Sequence, residues 1–294
     1  MNIGFSSLVC PGWNLDTVLT NAAEFGFDGV ELRGLCGELD LAVVPDLAAR
    51  PEDVRAQCRQ RNVALICLAS SATLDARRPA VVSQHKAKII ELMELAGQLG
   101  CPFVRIFAGE VQRRDHHRAA LARIAKALAS LAPTATSCGV TLLVENGGDF
   151  PGSDDMWFLI DAAAHPGVRC CWNQCNARAS LERPTTSIPR LGRKIAMVHV
   201  CDASFDDYGV LTDYTPLGDG DAEVARQITL LRGLAYEGYL MFEWPKMWRP
   251  TLPAPEAALP GVATFLRERL QETQAPLSAY KADKNKPKFA THRV

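Results

Sequence analysis

No run of roughly 18 consecutive apolar residues, the length a helix needs to cross a bilayer, occurs anywhere in the 294-residue chain. Neither charge dominates, since 32 basic side chains stand against 33 acidic ones. These two absences argue against a membrane-spanning protein and against a chain whose main partner is a nucleic-acid backbone, a role that needs a concentrated cationic surface. The amino terminus, Met1-Asn2-Ile3-Gly4-Phe5, has no basic segment leading into an apolar one. A cytoplasmic location is therefore expected. The ten cysteines contain no C-x-x-C pair and lie scattered in apolar segments such as Ala64–Leu68. They read as buried thiols acting as small hydrophobes and not as zinc ligands or bridges. The G-x-G-x-x-G signature of dinucleotide-binding sheets is missing as well.

What the chain does have is a 48% hydrophobic, 22% charged composition, enough apolar material for one large buried core and too much for a disordered chain. Short apolar runs alternate from end to end with longer segments whose apolar residues recur at helical spacing. The strand candidates are 3–7, 29–32, 64–68, 103–107, 141–145, 168–172, 196–199 and 239–242. Between them lie amphipathic stretches such as 15–25, with Leu15, Val18, Leu19, Ala22 and Ala23 on one stripe, and 89–99. Glycines at Gly26, Gly100, Gly139 and Gly238 sit where helices hand over to strands, as the left-handed position closing a helix requires. Continuous apolar strands each followed by a helix imply a parallel sheet covered on its outer face. Eight such units predict an α/β protein with a closed (β/α)8 barrel in a single domain over residues 1–275; an open α/β sheet is the alternative. A basic tail over 276–294, with Lys281, Lys284, Lys286, Lys288 and Arg293, is expected to be solvated or to pack on a second copy of the chain, so a homo-oligomer stays open.

In a parallel barrel the carboxyl ends of all strands converge on one mouth, which is where the chemistry is expected. Glu145 and Glu243 follow the strongly apolar runs Thr-Leu-Leu-Val and Tyr-Leu-Met-Phe. A carboxylate placed there needs a cation, a hydrogen-bond network or a proton. With Asn173 and His199 from the two strands between them, four oxygen and nitrogen donors face one point. That set suits a single divalent ion of the Mn²⁺, Mg²⁺, Co²⁺ or Zn²⁺ kind, Mn²⁺ first, with positions left for substrate oxygens.

The segments Gly4-Phe5-Ser6, Cys10-Pro11-Gly12-Trp13 and Gly26-Phe27-Asp28-Gly29-Val30-Glu31-Leu32-Arg33 resemble the start of the sugar phosphate isomerase/epimerase family, the xylose-isomerase-like TIM barrels. The resemblance continues through Val104–Gly109, Leu143–Asn146, Val198–Asp202, Leu217–Gly220 and Gly238–Trp244, and covers about residues 3–272. It implies a metal set of Glu145, Asn173, His199 and Glu243, with Asn173 standing where an Asp is usual. Asn176 occupies the place of a substrate-contacting His, Gly147 follows Asn146 where a His is often found, and Cys201 replaces a common Lys.

The implied activity is that of a metal-dependent isomerase or epimerase of a small sugar or sugar-like hydroxy-carbonyl compound. Glu145 and Glu243, flanking the ion, are the expected catalytic pair, one removing and the other returning a proton. Arg33 and Arg105 are candidates to clamp substrate hydroxyls or an anionic group. Trp13, Phe107, Trp172 and Trp244 are candidates for an apolar wall. Expulsion of a β-hydroxyl in place of reprotonation would give a dehydratase or lyase acting on a keto-sugar or sugar conjugate. Loss of the ion would leave a non-catalytic barrel that binds or scaffolds. Bland readings stand beside these: a structural ion pair of the glutamates with Arg33, Arg105 or Lys246, a hydrogen-bonded core histidine at His199, a structural amide at Asn173, and a loop-capping Asp202.

Overall fold

Each of the eight apolar runs forms a strand, and the strands are parallel and close into a ring in the computed structural model, which describes residues 1–272. The basic tail expected over 276–294 lies outside the described residues. In chain order the strands are β1 (Asn2–Ser6), β2 (Gly29–Leu32), β3 (Ala64–Ala69), β4 (Phe103–Phe107), β5 (Thr141–Glu145), β6 (Val168–Asn173) and β7 (Ile195–Val200), then a hairpin of β8 (Asp202–Phe205) and β9 (Leu211–Thr215), then β10 (Tyr239–Phe242). Ring order follows sequence order from β1 to β7. Then β10 joins β7 to β1, with Leu240 beside Val198 on one side and beside Ile3 on the other. The helices Leu15–Glu24, Pro51–Arg61, Pro79–Leu99, His117–Ser137, Ser153–Ala163, Pro184–Leu191, Val224–Gly233 and Pro255–Glu272 complete the eight units.

Local chemistry fixes the ends of these helices. The Asn14 side chain accepts a hydrogen bond from the Thr17 amide at 2.9 Å and opens the first helix, relieving one of its unpaired amide groups. Gly100, at φ +68°, ends the helix Pro79–Leu99 in the left-handed conformation that costs a side-chain-bearing residue most. The Cys101 amide can then return to the Ala96 carbonyl at 2.8 Å, and the chain turns directly into β4.

Alternation along the strands divides the apolar residues into two populations. Leu68, Val104, Val144, Trp172, Val198 and Phe242 join the large core between sheet and helices, whereas Cys67, Leu143, Cys171, Met197 and Met241 form a separate plug with Phe103 and Tyr239. Gly4 lets this plug close: a Cβ there would lie 2.5 Å from the Met241 sulfur. Two residues beyond plug members Phe103, Leu143, Cys171, Met197 and Met241, on the same strand face, stand Arg105, Glu145, Asn173, His199 and Glu243. The polar ring of the mouth therefore rests on the apolar floor of the barrel.

Candidate active site

Strand register brings these side chains together. Asn173 is the partner of His199 across β6 and β7, and His199 is the partner of Met241 across β7 and β10, which places Glu243 one step higher on the same side. His199 is the centre of the cluster. Its Nδ1 lies 3.0 Å from Glu145 Oε1 and 3.3 Å from Glu243 Oε2, and its Nε2 lies 3.0 Å from Glu31 Oε2. Glu31 and Glu145 are fully buried, as is His199, and the Glu243 side chain keeps 12% of its exposure. Glu243 is thus the acid of the cluster most open to the mouth.

Arg105 is the second organising group. Its Nε stands 3.0 Å from Glu145 Oε2, and one terminal nitrogen lies 3.7 Å from Glu243 Oε1 and 3.9 Å from Glu31 Oε1. The other terminal nitrogen donates to the Ser70 carbonyl at 3.2 Å, and the guanidinium lies over the Phe107 ring at 4.5 Å. Burial alone would raise the Glu31 pKa, but the His199 imidazole and the Arg105 guanidinium hold it down at about 2. Burial likewise works against ionised Glu145, and His199 and Arg105 together keep its pKa below the usual carboxylate range. For His199 burial favours the neutral ring, yet Cys171 and the three surrounding glutamates push its pKa well up.

Asn173 sits otherwise than a ligating carbonyl would. Its Oδ1 accepts from the amides of Cys175 at 3.0 Å and Asn176 at 3.3 Å, capping the short helix Gln174–Ala177. Its Nδ2 therefore faces inward, 3.0 Å from Glu145 Oε1 and 3.4 Å from Glu243 Oε2. Turning the amide over would set its NH₂ group against two backbone N–H groups. Asn146 holds it from behind, accepting from the Asn173 amide at 2.7 Å and donating to the Asn173 carbonyl at 2.8 Å. In this arrangement Asn173, expected from the sequence as an oxygen ligand, donates hydrogen bonds to the two acids.

The donor set that remains fits a cation. Glu145 and Glu243 each reach His199 Nδ1, and Glu31 Oε1 and Glu145 Oε2 are buried oxygens that accept no hydrogen bond and meet Arg105 as ion pairs. Carboxylate behind imidazole, as Glu31 stands behind His199, is also the arrangement that orients a ligating histidine. Groupings of Glu31, His199 and Glu243, and of Glu145, Cys171 and His199, bring three potential ligand atoms within metal-binding reach.

Above the cluster opens a cavity of about 380 Å³, lined among others by Arg33, Arg105, Phe107, Asn176 and Glu243. A larger hollow of about 640 Å³ lies elsewhere, around Arg55, Arg59 and Tyr239. It contains none of the converging acids, so the smaller cavity is the one attached to chemistry. Asn176 donates from its Nδ2 to the Asn146 carbonyl at 2.8 Å. The aromatic wall differs from the expected one. Trp13 and Trp244 do not line the cavity; Tyr214, carried in by the β8–β9 hairpin, and Trp248 do. The cause for Trp244 is strand parity: Glu243 points inward, and the next residue turns into the core against Phe242, ring centres 5.1 Å apart. Trp172, adjacent to Asn173, is likewise fully buried outside the ring of polar groups, with its indole N–H donating to Gln174 Oε1 at 3.1 Å. Trp13 packs partly buried against the outer core. Asp202 ties down the loop after the hairpin, accepting from the amides of Gly218 at 2.8 Å and Ala222 at 3.0 Å.

Residues 19–269 match the family described as xylose isomerase-like TIM barrel. Among solved structures, L-ribulose 3-epimerase superimposes with a TM-score of 0.76 at 18% identity, covering 97% of this chain and 99% of the other. A D-psicose 3-epimerase does so at 0.73 and 13% identity, covering 93% and 98%. The probable 3-DHS dehydratase of petrobactin synthesis from Bacillus anthracis does so at 0.75 and 16% identity, covering 91% and 99%. At such identities the likeness is one of fold. No curated protein matches the sequence. No helix among the described residues is long and apolar enough to cross a membrane.

Proposed function

The chain belongs to the xylose isomerase-like TIM barrel family, and on that premise we propose that it is an isomerase or epimerase of a small sugar or sugar-like hydroxy-carbonyl compound. The observation that carries this reading is His199 Nδ1 set between Glu145 Oε1 at 3.0 Å and Glu243 Oε2 at 3.3 Å. Two carboxylates that meet at one imidazole nitrogen, carried on different strands of the ring, supply the pair of groups needed for a carbon that loses and regains a proton.

Glu145, His199 and Glu243 would hold a divalent ion, Mn²⁺ by first choice and Mg²⁺, Co²⁺ or Zn²⁺ as alternatives, whose contribution is Lewis-acid polarisation of a carbonyl. The chain's own groups do the rest. Glu145, held ionised, takes the proton from the carbon next to the carbonyl, and Glu243, the more open acid, returns one from the other face. Between turnovers Glu145 gives its proton to solvent and Glu243 regains one from the mouth. Arg105, itself stacked over Phe107, keeps Glu145 ionised, and Asn173 holds both acids by its N–H groups. Phe107 and Tyr214 exclude water from the carbanion-like intermediate, and the more exposed Trp248 lines the cavity beside them. The test is incubation of the Mn²⁺-loaded protein with ketohexoses, ketopentoses and their keto-acid counterparts in D₂O. Deuterium at the carbon next to the carbonyl of recovered sugar, without loss of water, supports the reading. An ultraviolet-absorbing enone would instead mark a dehydratase.

A second reading rests on Arg105 and Asn173. A guanidinium reaching three carboxylates, together with an amide N–H turned on two of them, supplies positive charge where a metal otherwise would. On that reading the barrel binds a sugar without turning it over, and the D₂O experiment gives no exchange with any ion.

A further inference from the structure

Arg33 closes β2 and is 2% exposed, yet no carboxylate among the described residues lies within ion-pair distance of it. Its backbone is fixed: the amide donates to Ser7 Oγ at 2.8 Å, and that hydroxyl donates on to the Gly34 carbonyl at 2.7 Å. The guanidinium donates to the Ser71 hydroxyl and, at 3.4 Å, to the Leu39 carbonyl, while its face is turned to the Trp248 ring at 5.9 Å. Two neutral acceptors leave most of its five N–H donors, and all of its charge, uncompensated by close contact. Burial and the repulsion of Arg105 outweigh the more distant pull of Glu31, Glu243 and Glu145 and bring its pKa down to about 10. Burying a charge without a partner is costly, and the nearby acids are committed elsewhere: Glu31 and Glu145 to His199 and Arg105, and Glu243 to the same pair.

Arg33 also lines the 380 Å³ cavity, as does Arg105, and these are the only cationic side chains that line it among the described residues. With Arg105 engaged, one free unit of positive charge faces the ligand space.

From this juxtaposition we infer that Arg33 is a carboxylate anchor, so that the compound turned over at the glutamate cluster is a sugar acid or a sugar-derived keto acid and not a neutral sugar. A planar guanidinium pairs with a carboxylate through two parallel N–H···O contacts. A phosphate ester fits less well, because its second negative charge would face three glutamates with no second free cation to meet it. The inference deepens the proposed reaction by naming its substrate class, and its test reads binding alone, so failure of the turnover reading would leave the result standing.

The test compares gluconate with glucitol, which share a hydroxylated chain and differ at one end by a carboxylate against a hydroxymethyl group. Glucose 6-phosphate is a third arm. Binding is measured by calorimetry and by the shift in melting temperature, on the full chain. The expected result is gluconate bound at least about tenfold tighter than either glucitol or glucose 6-phosphate, a difference lost in Arg33→Gln and only partly kept in Arg33→Lys, which retains the charge but not the two parallel N–H contacts. Equal affinity for gluconate and glucitol, tighter binding of the phosphate, no binding of any of the three by the wild-type protein, or a gluconate preference that survives Arg33→Gln would overturn it. The wild-type comparison stands even if the Gln variant folds poorly.

Discussion

Asn173 turns an N–H group toward Glu145, Nδ2 to Oε1 at 3.0 Å, because its own carbonyl oxygen is spent on the Cys175 and Asn176 amides. A neutral donor therefore stands where a fourth carboxylate would complete an oxygen-rich cation site. Replacing it with Asp keeps the cap but adds a negative charge to a buried group of three. Without added metal, Asn173→Asp is expected to lose stability by about 3–5 kcal/mol, the range for an uncompensated buried charge. With saturating Mn²⁺ it should regain that stability and show a larger metal-induced rise in melting temperature than the wild type. Thermal melts of both proteins with chelator and with Mn²⁺ decide the matter; a variant equally stable with chelator contradicts the assigned role.

Removal of the carboxyl charges should separate chemistry from structure. Glu243→Gln leaves its partly exposed position tolerable and is expected to fold, with turnover reduced about 10²–10⁴-fold, the usual contribution of a positioned acid or base. Glu145→Gln takes the Nε partner from fully buried Arg105, so a comparable loss of activity should come with destabilisation of about 3–5 kcal/mol. Steady-state rates together with urea melts read both quantities. Equal stability of the two variants would deny Arg105 its dependence on Glu145.

Glu31 sets a pH window. Its folded-state pKa of about 2 lies below the ordinary carboxylate value, so its contribution to stability is full above the unfolded value, near pH 4.5, and is lost as the pH falls toward 2. Chelator-treated wild-type protein should lose melting temperature across that interval. Glu31→Gln should be less stable at neutral pH and flatter below pH 4.5. An unchanged acid profile in the variant would show that Glu31 is not the group responsible.

Trp248 is 56% exposed and rests its ring against Arg33. Its removal should cost little fold stability, within about 0.5 kcal/mol for a surface change. Trp248→Ala should raise KM several-fold with kcat nearly unchanged, because the lost contact is made equally in ground and transition states. A fall in kcat with unaltered KM would place Trp248 in the chemistry instead.

The sequence discloses some of this and hides the rest for identifiable reasons. All eight barrel strands are legible because a strand buried on both faces must be apolar along its length. Glu145, His199 and Glu243 are legible because a polar residue ending such a run stands out. Glu31 is not: β2 is only four residues long, and its acid lies inside the strand and not at its end. The signal that finds it is parity, since Glu31 follows Gly29 by two residues, as Glu145 follows Leu143. The same parity excludes Trp244 beside an inward Glu243. Tyr214 and Trp248 come from the β8–β9 hairpin and the loop after β10, where no strand-end rule applies. The inward N–H of Asn173 depends on where the following helix begins, which residue type alone does not fix.

Metal binding to the wild-type protein tests the central claim most directly. After exhaustive chelation, calorimetric titration with Mn²⁺ should give one site per chain, and saturation at about 100 times Kd should stabilise the fold by about 2.7 kcal/mol. Both effects should vanish when Glu145, His199 and Glu243 are replaced together. A flat titration, with a melting temperature that ignores Mn²⁺, Mg²⁺, Co²⁺ and Zn²⁺ alike, would contradict the account and leave Arg105 as the cation that this ring of acids was built around.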